Sequence, residues 1–301
     1  MPSKRRTRLA AISVIAVSSI AALTGCTPTQ LHGYLPGWDA SGQPTTNQTE
    51  RISTLWVGSW VAALVVGLIT WGLMLWAITV YRRRRGQTGL PVQLRYNMPI
   101  EMFFTIVPLI LVFGLFSFTA RDQTELTAID ENPDVQITAI GKQWSWDFQY
   151  GEGDDAVWTM GTQAQPGADG SIDESALPQL VLPVNKTVTV DIESRDVIHS
   201  FWIIDFLYKE DMVPGHPNQW SFTPTREGTY KGKCAELCGE YHSMMLFTVK
   251  VVSEDEYEDY LDELAAKGNT GDINDEYDRL SNNPGTDGSN VESEENTEEG
   301  Q

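Results

Sequence analysis

The run Leu55–Val80 holds 26 residues and no charge, and no other feature limits the possible folds of this chain as much. At about 1.5 Å of rise per residue, a helix of that length crosses the ~30 Å hydrocarbon core of a bilayer with some tilt. Trp56, Trp60, Trp71 and Trp76 lie within it, and the outermost of these suit the interfacial aromatic belt. Arg82-Arg83-Arg84-Arg85 follows at once. Four arginines beside a span place that end in the cytoplasm; a nucleic-acid patch fits poorly next to a membrane helix. A second uncharged run, Met102–Ala120, contains Pro108, which membrane helices tolerate. The two runs read as a transmembrane helical hairpin over 51–121, with spans at about 55–80 and 102–120. Its loop is cytoplasmic, so the mature N-terminus and everything after residue 121 lie on the outer side.

Upstream, Lys4, Arg5, Arg6 and Arg8 precede the apolar stretch Leu9–Leu23. That pattern reads as a signal peptide over 1–25, too short for a comfortable span. It ends in Leu23-Thr24-Gly25-Cys26, which resembles the bacterial lipobox. The resemblance implies a bacterial cell-membrane protein whose Cys26 is lipidated and held in membrane lipid. Ordinary signal cleavage beside a chance cysteine is the alternative. Residues 26–50 are polar and read as an extracytoplasmic linker.

From residue 133 to 252 the pattern turns to short β-rich runs. Val135–Ile140, Ser145–Tyr150, Gln179–Leu182, Thr187–Ile192, Gly228–Lys231 and Met245–Val252 are the expected strands. Several alternate, and Pro and Gly turns separate them, which suggests a β-sandwich or barrel. Glu152–Ala176 reads as a long surface loop. Ser253 with Glu256 forms a capping-box pattern that opens a helix over 253–267. Residues 268–301 are acidic and nearly devoid of apolar side chains, and are expected to be disordered. The net charge of −20 leaves no basic surface for phosphates and argues against nucleic acid. It permits a cationic protein partner.

The chemistry is concentrated in Cys234-Ala235-Glu236-Leu237-Cys238-Gly239-Glu240-Tyr241-His242-Ser243-Met244-Met245. Soft thiolate and thioether donors combined with imidazole point to copper. One copper needs one Cys, one or two His and a weak axial Met, so a second Cys leaves ligands for two metals. Both thiolates can then bridge, with His242 and a second histidine as terminal ligands. Of His32, His199 and His216, His199 is the best placed, just after the Thr187–Ile192 strand. A Cys-x3-Cys disulfide would leave His242 and Met245 without a role, and structural zinc would leave the methionine without one.

The spacing Cys-x-Glu-x-Cys-x3-His-x2-Met resembles the CuA motif of cytochrome c oxidase subunit II. Asp196-Val197-Ile198-His199-Ser200-Phe201, Val213-Pro214-Gly215 with Asn218-Gln219, and Gly141-Lys142-Gln143-Trp144-Ser145-Trp146 resemble further segments of that family. The similarity covers roughly residues 50–252 and includes the order of two spans before a β-domain. It implies an extracytoplasmic cupredoxin-like sandwich with a mixed-valence copper pair. The implied ligands are His199, Cys234, Cys238, His242, Met245 and the Glu236 carbonyl, while the Glu236 side chain reaches a Mg2+ shared with subunit I. Trp144 matches the position where electrons arrive, although Trp144 and Trp146 also suit packing. Glu101 resembles the glutamate at the mouth of a proton channel; its plainer role is to favour the helix dipole. Asp147, Asp196 and Asp205 either face a basic cytochrome or form an ordinary solvated surface.

The function implied is subunit II of a proton-pumping cytochrome c oxidase. Electrons pass from cytochrome c through CuA to haem in subunit I, where O2 becomes water. The lipobox, the 152–176 loop and the acidic tail depart from the simplest family pattern. They leave open a membrane-bound cytochrome donor, in a supercomplex with a cytochrome bc complex. A quinol-oxidase-type subunit II would lack the copper ligands. A stand-alone copper electron-transfer protein remains an alternative. A nitrous oxide reductase would need a further catalytic domain, and a copper chaperone would carry spare Met/His motifs.

Overall fold

The computed structural model describes residues 27–90 and 93–273. The signal peptide, Cys26 and the tail beyond residue 273 lie outside the described residues. Two compact units emerge, Arg51–Leu126 with the segment up to Tyr34, and Leu35–Glu50 with Thr127 onward.

In the first unit, helix α1 (Thr49–Val80) and helix α2 (Met98–Leu126) each extend beyond the uncharged run they contain. Both are apolar on every face, and Leu68 and Phe104 are 73% and 64% exposed. Water does not stabilise such a helix, so the surface calls for lipid or a partner protein. Both helices are long and apolar enough to cross a membrane. At one end of the pair, Asp122 Oδ1 accepts from Arg51 Nη1 at 3.0 Å and Arg121 Nη2 at 2.8 Å. This charge-assisted fork ties the start of α1 to the end of α2.

Among the described residues the second unit has ten strands: β1 (Val135–Lys142), β2 (Ser145–Tyr150), β3 (Val157–Met160), β4 (Gln179–Pro183), β5 (Val188–Ser194), β6 (His199–Ile203), β7 (Tyr208–Met212), β8 (Asn218–Phe222), β9 (Gly228–Cys234) and β10 (Leu246–Val252). They form two five-stranded sheets, ordered β3-β2-β1-β5-β8 and β4-β10-β9-β6-β7. The pairs β1–β5 and β4–β10 are parallel and the rest antiparallel. Alternation sets the inner faces. Val188, Val190 and Ile192 of β5, and Phe247, Val249 and Val251 of β10, are all buried. Across the core, Trp146 of β2 meets Phe247 at 4.9 Å and Phe201 of β6 at 5.6 Å, and Phe201 stacks on Phe247 at 5.1 Å. Burying each such ring contributes on the order of 1.5–3 kcal/mol.

The six expected strands are present, some of them longer than expected. Four others were not read from the sequence. Strand β3 crosses the segment expected to be a loop, and pairs with β2. Strands β6 and β8 are short, and β7 (Tyr-Lys-Glu-Asp-Met) is a charged edge strand with little alternation to read.

The segment expected to be a linker is partly built into the β-domain. Thr45, Thr46, Gln48 and Thr49 are buried. The Gln48 side chain donates to Ser221 O at 2.8 Å and accepts from Trp220 Nε1 at 3.0 Å. Residues 268–273 are likewise ordered rather than part of a free tail. Asp272 Oδ1 accepts from Gln149 Nε2 and Gly153 N, and Ile273 N donates to Gln149 Oε1 at 2.7 Å. Helix α3 (Glu254–Ala266) opens on the expected N-cap, Ser253, which accepts from Glu256 N at 3.3 Å and so makes the serine half of the expected capping box.

Candidate metal centre

Strand β9 ends at Cys234, and Met245 directly precedes β10, so the motif is the connection of one hairpin. Its mouth is closed by Cys234 N donating to Met245 O at 3.0 Å. Ala235 N donates to Ser200 O at 3.0 Å, which ties the loop to the first residues of β6 and thus to His199. Further on, a single 3-10 turn, His242–Met244, brings His242 back towards the cysteines.

The side chains converge. Cys234 Sγ and Cys238 Sγ are 3.8 Å apart, far beyond a disulfide bond of about 2.05 Å, and both cysteines are free and buried. His199 Nδ1 lies 3.8 Å from Cys234 Sγ. His242 Nδ1 lies 3.5 Å and Met245 Sδ 3.8 Å from Cys238 Sγ. The Glu236 carbonyl is 3.1 Å from Cys234 Sγ. The ligand atoms of His199, Cys234 and Cys238 all lie within 4.8 Å of one another. The expected donors therefore meet at one point, while His216 sits exposed on the β7–β8 turn. Two thiols, two imidazoles and a thioether form a soft donor set that suits copper.

The charges around this point are set by burial and by Asp196. Burial alone would lower the His199 pKa, but the Asp196 hydrogen bond and Cys234 outweigh it and raise it above its usual value. Burial likewise opposes the Cys234 thiolate; His199 and the Ser200 and Glu236 backbone overcome it and bring the thiol to about 7. Burial and the neighbouring Cys234 push Cys238 up to about 12. Without metal, one sulfur is poised to ionise and the other stays a thiol.

Asp196, expected either to face a basic partner or to lie on a solvated surface, instead turns both carboxylate oxygens to neighbouring residues. Its Oδ1 is 2.8 Å from His199 Nε2, and its Oδ2 accepts from Gln143 N at 2.7 Å. With Nε2–H donated to the carboxylate, Nδ1 keeps its lone pair for a metal. Asp147 is fully buried and pairs with Lys142 Nζ at 2.7 Å, so it presents no charge to a partner. Gln143 lies in the turn between β1 and β2, directly before Trp144. Its side-chain amide donates to Cys238 O at 2.8 Å, which latches the β1–β2 turn onto the cysteine loop.

That latch brings in Trp144. Its ring meets Tyr241 edge-on at 5.0 Å. A Cβ at Gly239 would stand 3.1 Å from Trp144 Cζ2, so the glycine lets the indole lie against the loop. Trp146 instead lies in the core, its Nε1 donating to Met245 O at 3.3 Å. Glu236 and Leu237 are exposed. In the other unit, Glu101 Oε1 accepts from Asn97 N at 2.8 Å, while Asn97 Oδ1 accepts from Ile100 N at 3.4 Å. This reciprocal cap, which was not expected, holds the carboxylate in the first turn of α2, where the helix dipole favours it.

Residues 135–252 match the family model for Cytochrome C oxidase subunit II, periplasmic domain. Probable cytochrome c oxidase subunit 2 of Streptomyces avermitilis is 44% identical over 84% of this chain and 85% of its own length. The corresponding protein of Streptomyces coelicolor is 45% identical over 76% of this chain and 79% of its own length. Among solved structures, the periplasmic domain of subunit II of cytochrome oxidase of Bradyrhizobium japonicum is 30% identical, covering 46% of this chain and 99% of that one at a TM-score of 0.41. At the identity and coverage of the Streptomyces relatives, the chain belongs to the cytochrome c oxidase subunit II family and is a subunit of a respiratory oxidase, with subunit I and the other oxidase subunits as its partners.

Proposed function

We propose that this chain holds a binuclear copper centre, CuA, that accepts electrons from a cytochrome c-type donor and passes them to haem in subunit I, where O2 is reduced to water and protons are pumped. The observation that carries the reading is the pair of sulfurs 3.8 Å apart, each with its own imidazole nitrogen: His199 beside Cys234 and His242 beside Cys238. Metal–thiolate bonds of about 2.3 Å let both sulfurs reach a shared metal. A single tetrahedral ion would use the two thiolates and two imidazoles but leave Met245 Sδ and the Glu236 carbonyl without a role, whereas two ions give all six donors one. Met245 Sδ and the Glu236 carbonyl are the weak outer donors. When bound, copper would supply one-electron chemistry to these residues, and charge shared over two ions would limit the rearrangement on reduction.

The remaining roles follow from this reading. Trp144, latched to the cysteine loop through Gln143 and Gly239, is the contact through which electrons arrive. The exposed Glu236 carboxylate meets a Mg2+ shared with subunit I. Glu101 takes up protons at the mouth of a channel in subunit I, in addition to capping α2. The domain and C-terminus lie on the outer face of the bacterial membrane, with Cys26 lipidated after signal removal. The donor is a cytochrome c or a membrane-bound cytochrome in a supercomplex with a cytochrome bc complex.

Metal analysis of the purified oxidase tests the centre. Complexes carrying Cys234→Ser and Cys238→Ser together, which leave no thiolate for either metal, should contain two fewer coppers than wild type at equal haem content. A difference of one copper, or zinc in its place, rejects the binuclear reading.

A further inference from the structure

We infer that Gly141 is a positioning residue for His199: its bare Cα is the seat of the imidazole, and Met212 closes the seat from the side. The inference rests on the reading of His199 as a copper ligand and adds to it a residue that touches no metal.

Gly141 is near the end of β1, where its carbonyl accepts Arg195 N–H at 3.0 Å. A Cβ built on Gly141 would stand 3.1 Å from His199 Cδ2, 3.3 Å from His199 Cγ and 3.1 Å from Met212 Sδ. Contacts that close are tighter than ordinary carbon–carbon packing at about 3.5–4.0 Å. The position does not need glycine for its backbone, since its φ lies outside the left-handed region. What it needs is room, and the imidazole and the thioether occupy that room. Met212 is the partner of His199 across the β6–β7 ladder, and both are fully buried.

The ring is therefore held in two ways. Gly141 and Met212 limit where the plane can lie, and Asp196 Oδ1 fixes Nε2 at 2.8 Å. Together they set the direction in which Nδ1 faces Cys234. An added methyl must push either the flexible thioether or the ring. The ring moves on a short lever, because its Nε2 end is pinned.

The test is Gly141→Ala in the intact purified oxidase. The near-infrared absorption and electron paramagnetic resonance of the copper centre should shift, and copper should be lost to a chelator on the order of tenfold faster, as for other outer contacts of metal ligands. Wild-type spectra and wild-type loss rates in this variant would overturn the inference and leave Gly141 a packing residue only. If the variant assembles without copper, Gly141→Ala/Met212→Ala decides. Truncating Met212 opens space for the methyl, so return of the copper signal supports the seat, and its continued absence overturns it. A wild-type oxidase with no copper attributable to this chain would instead reject the reading beneath.

Discussion

His199 Nε2 and Asp196 Oδ1 lie 2.8 Å apart, three residues apart in sequence, and the same carboxylate accepts Gln143 N at 2.7 Å. One buried acid thus connects a candidate copper ligand to the turn that carries Trp144. Asp196→Asn keeps the shape but weakens the charge-assisted bond to the imidazole. Copper affinity should fall by about 10–100-fold, the range for removal of an outer partner of a metal-bound histidine. Competition against a chelator of known affinity measures it, and wild-type affinity would show that the ring is held by packing alone.

Copper loading should release protons, and more of them at low pH. Cys238 sits at about 12 in the metal-free protein, so it gives up a proton at any working pH. Cys234 sits at about 7 and His199 is raised above its usual value. Below those values both are protonated, and metal must displace their protons too. Release should therefore be roughly one proton per chain near pH 9 and two or more near pH 6. Titration of the metal-free chain with copper in a weakly buffered indicator solution counts them. Release that grows with rising pH would contradict the assignment.

The local part of the candidate centre was legible because its soft donors lie within one hairpin loop, where spacing is geometry. Cys234, Cys238, His242 and Met245 needed no knowledge of the fold. His199 was reachable because the chain has only four histidines and this one follows a readable strand. What joins the site together was not legible. Asp147 and Asp196 look like surface acids in sequence, yet one is paired inside the sheet and the other bonded to His199. Burial of a carboxylate depends on a cation or donor that pairing of strands brings to it, Lys142 across the β1–β2 hairpin for Asp147 and the distant Gln143 for Asp196, and composition alone does not reveal it. The same holds for Gln48, a polar residue in a polar segment that becomes buried through its hydrogen bonds.

Gln48 gives a stability prediction. Its carbonyl is the acceptor for the buried indole N–H of Trp220, and its amide donates to Ser221 O. Gln48→Ala leaves both buried partners short of a bond, at a cost of about 1–3 kcal/mol for each group left unsatisfied. Gln48→Glu keeps the acceptor for Trp220 but sets a carboxyl oxygen against the Ser221 carbonyl in a buried place, and should lower the midpoint at least as far as Gln48→Ala. Thermal unfolding of the isolated full chain in detergent, followed by tryptophan fluorescence, compares them. Equal midpoints for all three would mean that the segment before α1 adds nothing to the β-domain.

Trp144 offers the sharpest separation of uptake from storage of electrons. Its ring rests on Tyr241 at 5.0 Å, and the Gln143 amide holds its turn to Cys238 O. Neither contact involves a candidate ligand side chain, so removing the indole should leave the copper centre intact. Trp144→Ala should lower kcat/KM for the cytochrome donor by on the order of tenfold or more, equivalent to about 1.4 kcal/mol or more of barrier. Copper content and the absorption of the centre should stay at wild-type values. Trp144→Phe is the control for packing, because it keeps a ring against Tyr241 while changing the electronic contact. If Phe restores the rate fully, the indole serves as a spacer for the loop. If both variants are slow with full copper, the electron passes through the indole itself.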